Sequence, residues 1–447
     1  MAQCHSTSQV FGVGNHVPLT YVVRSGVDDV FQSALDREKH IAVYGSSKQG
    51  KTCLRRKTVK EADQLVVSCT SALSREAIYS TILRKAGVQV ADLISRERGN
   101  AVSTEASVSG EAGHVFLRSK GELSGTAETR WGTSETHRSV PLDFNNCNDV
   151  IDELKANGFN RWIVLDDFHY LSRQVQLDIA NDLKAFFDES QIRFLIIGVW
   201  REPGKLYRLN NDLEDRSVHV DADRWNRAEL ERVLAVGSEL LNVRFSRAVC
   251  DKILSAAMHN VGLLQAAAEM VCDRLKITKT QSTTLQVYDQ NERCERVSNS
   301  CDVPTEVWLF ELHHRRFPQY RELLTTIARN SESDSWIWQF LAAALITLPV
   351  DELAMGARLD LLLAESRRAQ KYSNLSGVFG DISRESFAAV LGRLNATVAA
   401  IEGRAPVLEY DDIDERLFVL DGGFFIFRRH QTEHRLLDLI GLRLRTY

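Results

Sequence analysis

The stretch from Ile41 to Thr52 constrains this chain more than any other part of its sequence. Four residues of strand character lead into the pattern Gly-x-x-x-x-Gly-Lys-Thr, which runs from Gly45 to Thr52. Such a loop bends so that successive backbone N–H groups and the N-terminus of the next helix point at one place, which suits the β- and γ-phosphates of a nucleotide. Residues 53–61 contain no Gly or Pro that would stop a helix. The sequence therefore predicts a strand, a phosphate-binding loop and a helix.

The residues of this loop have separate predicted roles in binding ATP. Gly45 and Gly50 permit backbone angles and close approaches that side chains would forbid. Lys51 would place a positive charge on the β- and γ-phosphate oxygens, and the Thr52 hydroxyl would ligate the Mg²⁺ that bridges them. The alternative is a chance match in an ordinary turn. The predicted nucleotide-binding residues are Gly45, Ser46, Ser47, Lys48, Gln49, Gly50, Lys51, Thr52 and Cys53.

A second motif, from Trp162 to Asp167, argues against a chance match. It is an apolar run that ends in two carboxylates. An interior strand of a parallel sheet is buried on both faces and is continuously apolar, and its C-terminal end meets the ligand crevice. Asp166 would then reach the metal ion, mostly through water, and Asp167 would orient and deprotonate the attacking water. Alone, such a strand end is more often a solvated turn; beside a phosphate loop, it indicates a Walker B strand.

Size and composition limit the class of protein. A chain of 447 residues is too long for one compact core and should form two or three domains. We find no apolar run long enough to span a membrane and no signal peptide pattern, and we expect a cytoplasmic protein. Eight cysteines without a Cys-x-x-Cys pair argue against a disulfide framework and a structural zinc site. A net charge of −5 provides no general attraction to nucleic acid.

Strands and helices alternate through the first half of the chain. Residues 64–69 have strand character, residues 75–86 form a helical pattern, and residues 193–200 form another apolar strand, with Arg201 at its C-terminal end. This alternation predicts an α/β fold with a parallel, doubly wound sheet. Residues 99–141 break the pattern because they are rich in Ser, Thr, Gly and Glu, and we expect either a β-hairpin insertion or a mobile loop there.

The last third of the chain is predicted to be helical and to end in short strands. One predicted helix and three predicted strands follow one another near the end of the chain: 383–401, 407–410, 417–420 and 424–427. A helix followed by a β-hairpin is typical of a winged helix. Residues 306–447 carry more acidic than basic residues, which is a poor match to nucleic acid. A winged helix that binds a protein is therefore favoured over one that binds DNA.

The ordered set of motifs resembles the AAA+ and STAND branch of P-loop ATPases. The set comprises the phosphate loop, the Asp166-Asp167 pair, a strand-end arginine, a Leu-x-x-Arg motif at residues 213–216 and Gly-Leu-Leu-Gln at residues 262–265. The resemblance covers about residues 20–275 and is nearest to origin-recognition-type and transposon-targeting ATPases that add a winged helix. It implies a five-stranded core with a helical lid over the nucleotide.

The resemblance also implies roles for two arginines and a slow reaction. Arg201 matches the sensor that reads the γ-phosphate, although AAA+ proteins usually carry Asn or Thr there and STAND switches carry arginine. Arg216 lies where such proteins carry an arginine finger, which is offered to the nucleotide of a neighbouring subunit. The alternative is a surface arginine that pairs with Glu214 or Asp215. Asp167 is one methylene shorter than the commoner Glu, which favours slow turnover and a switch over a motor.

These inferences divide the chain into five parts. They are a flexible arm, a P-loop ATPase core that includes the 99–141 insertion, a helical lid, a linker, and a helical or winged-helix domain: 1–18, 19–222, 223–277, 278–304 and 305–447.

Three functions are compatible with these motifs. The leading hypothesis is a slowly hydrolysing ATP switch that self-associates with nucleotide at subunit boundaries and regulates a protein effector. The alternative is a DNA-dependent ATPase of the transposition or replication-loading type, in which Arg428, Arg429 and Arg435 or the insertion touch phosphates. A third is a nucleotide-binding scaffold without hydrolysis. Prokaryotic proteins of this layout often serve in mobile-element or antiphage systems, which suggests antiviral defence by analogy alone.

Overall fold

The computed structural model describes residues 4–12, 14, 16–88, 143–144, 146–201, 204–223, 225–330, 335–399, 407–412 and 414–443. The predicted insertion at 99–141 lies outside the described residues. Within those residues, no helix combines the length and the apolar character needed to cross a membrane.

A five-stranded parallel sheet forms the core of the first part of the chain. Its strands are β1 (His40–Tyr44), β2 (Gln64–Ser68), β3 (Trp162–Asp166), β4 (Phe194–Ile197) and β5 (Ser217–Asp221). The spatial order is β2-β3-β4-β1-β5, and every neighbouring pair is parallel. The prediction of a parallel α/β sheet is confirmed. Because all strands run the same way, their carboxyl ends meet at one edge of the sheet.

Helices cover both faces of this sheet. They are α2 (Asp28–Leu35), α3 (Lys51–Thr58), α4 (Arg75–Ala86), α5 (Cys147–Ala156), α6 (Arg173–Glu189) and α7 (Lys205–Leu209). On one face, Phe31 and Leu54 pack in a fully buried cluster. On the other face, Tyr79, Leu154 and Phe186 do the same. Burial on both faces explains why the central strands are continuously apolar.

A middle unit, residues 225–314, follows the sheet. It contains α8 (Arg227–Leu241), α9 (Arg247–Ala257), α10 (Val261–Arg274) and α11 (Thr305–His314). It also contains a second parallel sheet of β6 (Val243–Phe245), β7 (Leu285–Asp289) and β8 (Ser300–Val303). The prediction of a linker at 278–304 was wrong, because two of these strands lie there. Only Val287 and Val303 are buried apolar residues of β7 and β8, so the strands carry a weak sequence pattern and are stabilised by pairing.

The N-terminal residues pack against the middle unit. Residues 5–12 include α1 (Thr7–Val10), and the Thr7 N–H donates to Thr278 O at 3.0 Å. Val10 and Phe11 are fully buried. A Cβ added to Gly237 of α8 would lie 2.2 Å from the Phe11 ring, so the ring sits directly on the helix backbone. The prediction of a loose arm was therefore wrong for these residues, because a pair of apolar residues is too short a signal to reveal burial from sequence.

A C-terminal unit, residues 317–443, completes the described chain. Its elements are α12 (Phe317–Ala328), α13 (Ser335–Thr347), α14 (Val350–Met355), β9 (Ala357–Arg358), α15 (Leu359–Tyr372), α16 (Arg384–Ala399), β10 (Leu408–Asp411), β11 (Arg416–Val419), α17 (Gly423–Arg429) and α18 (Glu433–Leu439). The three strands form an antiparallel sheet in the order β10-β11-β9. The predicted strand at 424–427 was wrong. Those four residues are buried within α17, and a short apolar run does not distinguish a buried helix from a strand.

Candidate nucleotide-binding site

The phosphate loop connects β1 to α3 and adopts the backbone that its glycines permit. Gly45, Lys48 and Gly50 have φ angles of +139°, +64° and +81°. Gly50 lies directly before α3, so the unpaired N–H groups of the first helical turn adjoin the loop. Thr52 and Cys53 belong to that turn and are partly buried, and burial raises the pKa of the Cys53 thiol. This geometry suits an anion at the start of α3.

Lys51 lies beneath the loop as a buried cation. Its side-chain nitrogen donates to Gly45 O at 2.8 Å and to Ser46 O at 2.6 Å. These bonds use two of the three N–H donors of an ammonium group, and the third has no acceptor among the described residues. Burial lowers the pKa of Lys51 to about 8, against the opposing attraction of Asp223, Asp167 and Asp166. A phosphate placed here would supply the missing acceptor and restore the charge.

Nucleotide binding is therefore expected to weaken as the pH rises above about 8, the pKa of the free Lys51. A phosphate favours the ammonium form and therefore raises the pKa of Lys51 in the complex. Above pH 8, Lys51 must take up a proton when the nucleotide binds; below pH 8 it is already protonated. The Kd for ATP should rise by up to about tenfold per pH unit in that range. Titration calorimetry between pH 7 and 9.5 measures this.

The control for the pH profile is Lys51→Arg, because a guanidinium keeps its charge throughout this range. Any nucleotide that this variant binds should show a flat profile. An equal Kd for the wild type at pH 7 and 9.5 would contradict the assignment of a titrating lysine to this site.

Asp166 and Asp167 lie at the carboxyl end of β3, and β4 separates that strand from β1. The Asp166 Oδ2 is 3.4 Å from Nη2 of Arg55, a buried residue of α3. Asp167 has a φ of +61°, which is an uncommon, strained conformation for a residue with a side chain. Partial burial and the neighbouring Asp166 raise the pKa of Asp167, although much of the residue is open to solvent. The structure thus brings the acid pair and Lys51 to one edge of the sheet.

These residues fit a magnesium ion that is shared with a phosphate. Within the described part of the chain, no cluster of three or more His, Cys, Asp or Glu side chains is arranged to hold a metal ion alone. Mg²⁺ usually binds one or two carboxylates together with phosphate oxygens and water. Thr52 and Asp166 would hold such an ion beside the phosphate loop, and the ion would neutralise charge on the phosphates.

The two predicted arginines lie at opposite edges of the sheet. Arg201 follows β4 at the carboxyl edge, where its Nε is 3.4 Å from Asp223 Oδ2 and its Nη1 donates to Ala354 O of the C-terminal unit at 2.5 Å. Arg216 precedes β5 at the amino edge. It forms two hydrogen bonds with the Asp188 carboxylate, at 2.9 and 3.2 Å. The alternative predicted an ion pair with Glu214 or Asp215, but the observed partner is Asp188 at the end of α6, which is distant in sequence.

Several polar contacts of the loop were not predicted from the sequence. Asp223, just after β5, accepts hydrogen bonds from Ser46 N at 2.7 Å and from Ser46 Oγ at 3.0 Å. Asn260, before α10, donates to Ser47 O at 2.8 Å. The available signal for Asp223 was its position, since it follows a strand whose carboxyl end reaches the same edge as Asp166. Asn260 carries no comparable signal, because the middle unit meets the loop only in the folded chain.

The remaining loop residues contact the middle unit and the C-terminal unit. Gln49 is buried, and its backbone carbonyl accepts a hydrogen bond from Trp225 Nε1 at 3.3 Å. Lys48 O accepts from Gly262 N at 3.1 Å, and Ser47 N is 3.5 Å from its acceptor, Leu420 O. A cleft of about 520 Å³ opens beside the loop, and its lining includes Ser46, Gln49, Arg201, Asn260, Ala354 and Arg429. The candidate site is therefore enclosed by the sheet edge, the middle unit and the C-terminal unit.

Comparisons with known proteins agree with this geometry. Residues 34–202 match the model of the AAA domain family. No curated protein matches the chain in sequence. Among solved structures, the Walker-type ATPase PABY2304 of Pyrococcus abyssi is similar in fold, with a TM-score of 0.51 and 12% identity over 94% of this chain and 99% of that one.

Two further similarities are weaker. The Aeropyrum pernix ORC1 protein in complex with DNA has a TM-score of 0.41 and 11% identity, over 96% of this chain and 97% of that one. A STAND protein with a tetratricopeptide repeat sensor from Pyrococcus horikoshii has a TM-score of 0.35 and 12% identity, over 94% of this chain and 44% of that one. The AAA domain match covers the part of the chain that contains the phosphate loop, four strands of the parallel sheet and Arg201.

Proposed function

We propose that this AAA-domain protein is an ATP-binding and slowly hydrolysing switch that assembles with nucleotide at subunit boundaries and regulates a protein partner. The observation that carries the proposal is the position of Arg201. This side chain stands beside the phosphate loop and also donates a hydrogen bond to Ala354 O in the C-terminal unit. A group that meets both the phosphate site and another unit can couple nucleotide to the position of that unit.

The phosphate site supports binding and hydrolysis of ATP. Lys51 and the N–H groups at the start of α3 would hold the phosphates, and Thr52 and Asp166 would hold Mg²⁺. Asp167 would accept the proton of the attacking water, since its raised pKa makes the carboxylate a better base near neutral pH. Arg201 would meet the terminal phosphate once it leaves Asp223. Each of these groups lies at the carboxyl edge of the sheet.

The contacts of the loop support a switch. The middle unit contacts it through Gly262 and Asn260, and the C-terminal unit contacts it through Leu420. A Cβ on Gly262 would lie 2.6 Å from the Lys48 Cβ, so the two segments approach as closely as their backbones allow. A nucleotide that rearranges the loop therefore acts on both units. Its differential affinity for two arrangements sets how far their equilibrium moves.

The charges of the C-terminal unit favour a protein partner over DNA. We infer that it is a winged helix, because β9, α15, α16 and the β10–β11 hairpin follow α13 in the order of that motif. The hairpin is acidic and is docked on the ATPase core: Asp411 and Asp414 lie 3.3 and 2.5 Å from Arg208 of α7. Arg428 is largely buried and donates to Leu348 O at 2.7 Å. The acidic hairpin and Arg428 are therefore poorly placed for phosphates of DNA, whereas Arg429 and Arg435 are exposed.

The proposed subunit boundary makes a prediction for Arg216. Because Arg216 lies at the amino edge of the sheet, it can serve only the nucleotide of a neighbouring molecule. Its partly exposed pair with Asp188 is of a kind that contributes little to stability, so the arginine can exchange partners. Arg216→Ala should raise the protein concentration needed for ATP-dependent assembly by about tenfold, the usual effect of one lost charged hydrogen bond.

Sedimentation with ATP and Mg²⁺ measures the assembly. The matched control is Arg247→Ala, which removes an arginine whose side chain is 89% exposed on α9. If the wild type remains monomeric in every nucleotide state, the subunit-boundary part of the proposal fails. A role in antiphage defence is proposed by analogy with proteins of similar layout alone.

A further inference from the structure

A carboxylate occupies the phosphate loop of this protein. Asp223 Oδ1 accepts the Ser46 N–H at 2.7 Å, and its Oδ2 accepts the Ser46 hydroxyl at 3.0 Å. A Cβ on Gly45 would lie 3.0 Å from Asp223 Oδ1, so the glycine admits this close approach. The Asp223 N–H donates to Asp221 Oδ1 at 2.9 Å, which holds the residue in place. Asp223 is therefore a fixed part of the loop's surroundings.

The same carboxylate is close to the cations that would bind phosphates. Its Oδ2 is 3.4 Å from Arg201 Nε. It is also the carboxylate that favours the charged form of Lys51 most strongly, ahead of Asp167 and Asp166. One negative charge thus lies among a loop N–H, the buried ammonium and the strand-end guanidinium. These are the groups that a terminal phosphate would need.

We propose that Asp223 competes with the terminal phosphate of ATP for Arg201 and thereby sets the preference of the site between ATP and ADP. This inference rests on the proposed function. ADP lacks the third phosphate and leaves the Arg201–Asp223 pair intact. ATP either separates this pair or places its γ-phosphate beside the carboxylate, and both outcomes oppose ATP binding. Discrimination is a difference between two binding free energies, and here it comes from a repulsive group.

The competition also connects the terminal phosphate to the C-terminal unit. Arg201 donates to Ala354 O through Nη1 while Nε faces Asp223. An arginine that turns to a γ-phosphate therefore leaves both partners. Asp223 opposes this movement, because the ion pair stabilises the arginine where it contacts the C-terminal unit. The residue is a specificity-determining and positioning group, and it is not assigned a chemical step.

The test is Asp223→Asn, which removes the charge and keeps an oxygen that can accept the Ser46 N–H. At a pH well below 8, where Lys51 is protonated, the Kd for ATP should fall about tenfold. The Kd for ADP should change by less than about threefold, because only ATP competes for Arg201. Calorimetry with each nucleotide and Mg²⁺ gives the ratio of the two Kd values. Asp63→Asn is the control, since it removes the same charge from an exposed position.

A second variant tests the route of the effect. In an Arg201→Gln background, Asp223→Asn should leave the ratio of the two Kd values unchanged, and a persistent change would overturn competition for Arg201. Asp223→Ala replaces Asp223→Asn if the amide variant unfolds. The proposal for Asp223 would be refuted if Asp223→Asn left the ratio of the two Kd values unchanged, or strengthened ADP binding relative to ATP binding. If the wild type binds neither nucleotide, the proposed function itself fails, so the two failures are distinguishable.

Discussion

Lys51→Ala is expected to abolish binding of ATP at ordinary concentrations, with the Kd rising at least about 100-fold. The side chain is 8% exposed and lies under the loop that it would neutralise. Removing one partner of a buried charge pair costs about 3–5 kcal/mol, and each 1.4 kcal/mol is about a tenfold change in Kd. Calorimetry with ATP and Mg²⁺ measures the change directly.

Lys57→Ala is the matched control for this prediction, because Lys57 is an exposed lysine of the same helix. Thermal unfolding of both variants shows whether the fold survives, since Lys51 also donates to two loop carbonyls. A folded Lys51→Ala protein that binds ATP within threefold of the wild type would exclude the phosphate loop as the nucleotide site.

Asp167→Asn is expected to separate ATP binding from hydrolysis. The amide cannot accept the proton of the attacking water, so phosphate release should fall by about 10²- to 10⁴-fold, the usual contribution of general base catalysis. The Kd for ATP should stay within about threefold, because Asp167 is not assigned to the phosphates or to the metal ion. Phosphate release under saturating ATP and calorimetry measure the two effects.

The length of the acid at this position offers a second comparison. If the short side chain of Asp167 causes slow turnover, Asp167→Glu should hydrolyse ATP faster than the wild type. Asp63→Asn serves again as a control for loss of an exposed carboxylate. Equal rates of phosphate release by the wild type and Asp167→Asn would exclude Asp167 as the general base.

The segments whose structure was predicted wrongly have one property in common. Few or ambiguous local signals mark four of these segments: β7, β8, α1 and α17. Their structures depend on partners elsewhere in the chain: β6 pairs with β7, and the middle unit covers Phe11. Periodicity reports only which face of a segment is apolar, and these segments are too short or too uniformly apolar to show one.

By itself, the sequence determined the phosphate loop and the acidic strand end, because backbone freedom at Gly45 and Gly50 and an apolar run before Asp166 are local properties. It also determined the parallel sheet, since alternating strands and helices allow few arrangements. Only the tertiary structure decided what surrounds the loop. The partners of Arg201 include Asp223 and Ala354, and the ion-pair partner of Arg216 is Asp188. Such contacts join residues distant in sequence, and their pairing depends on the order of strands and the packing of units.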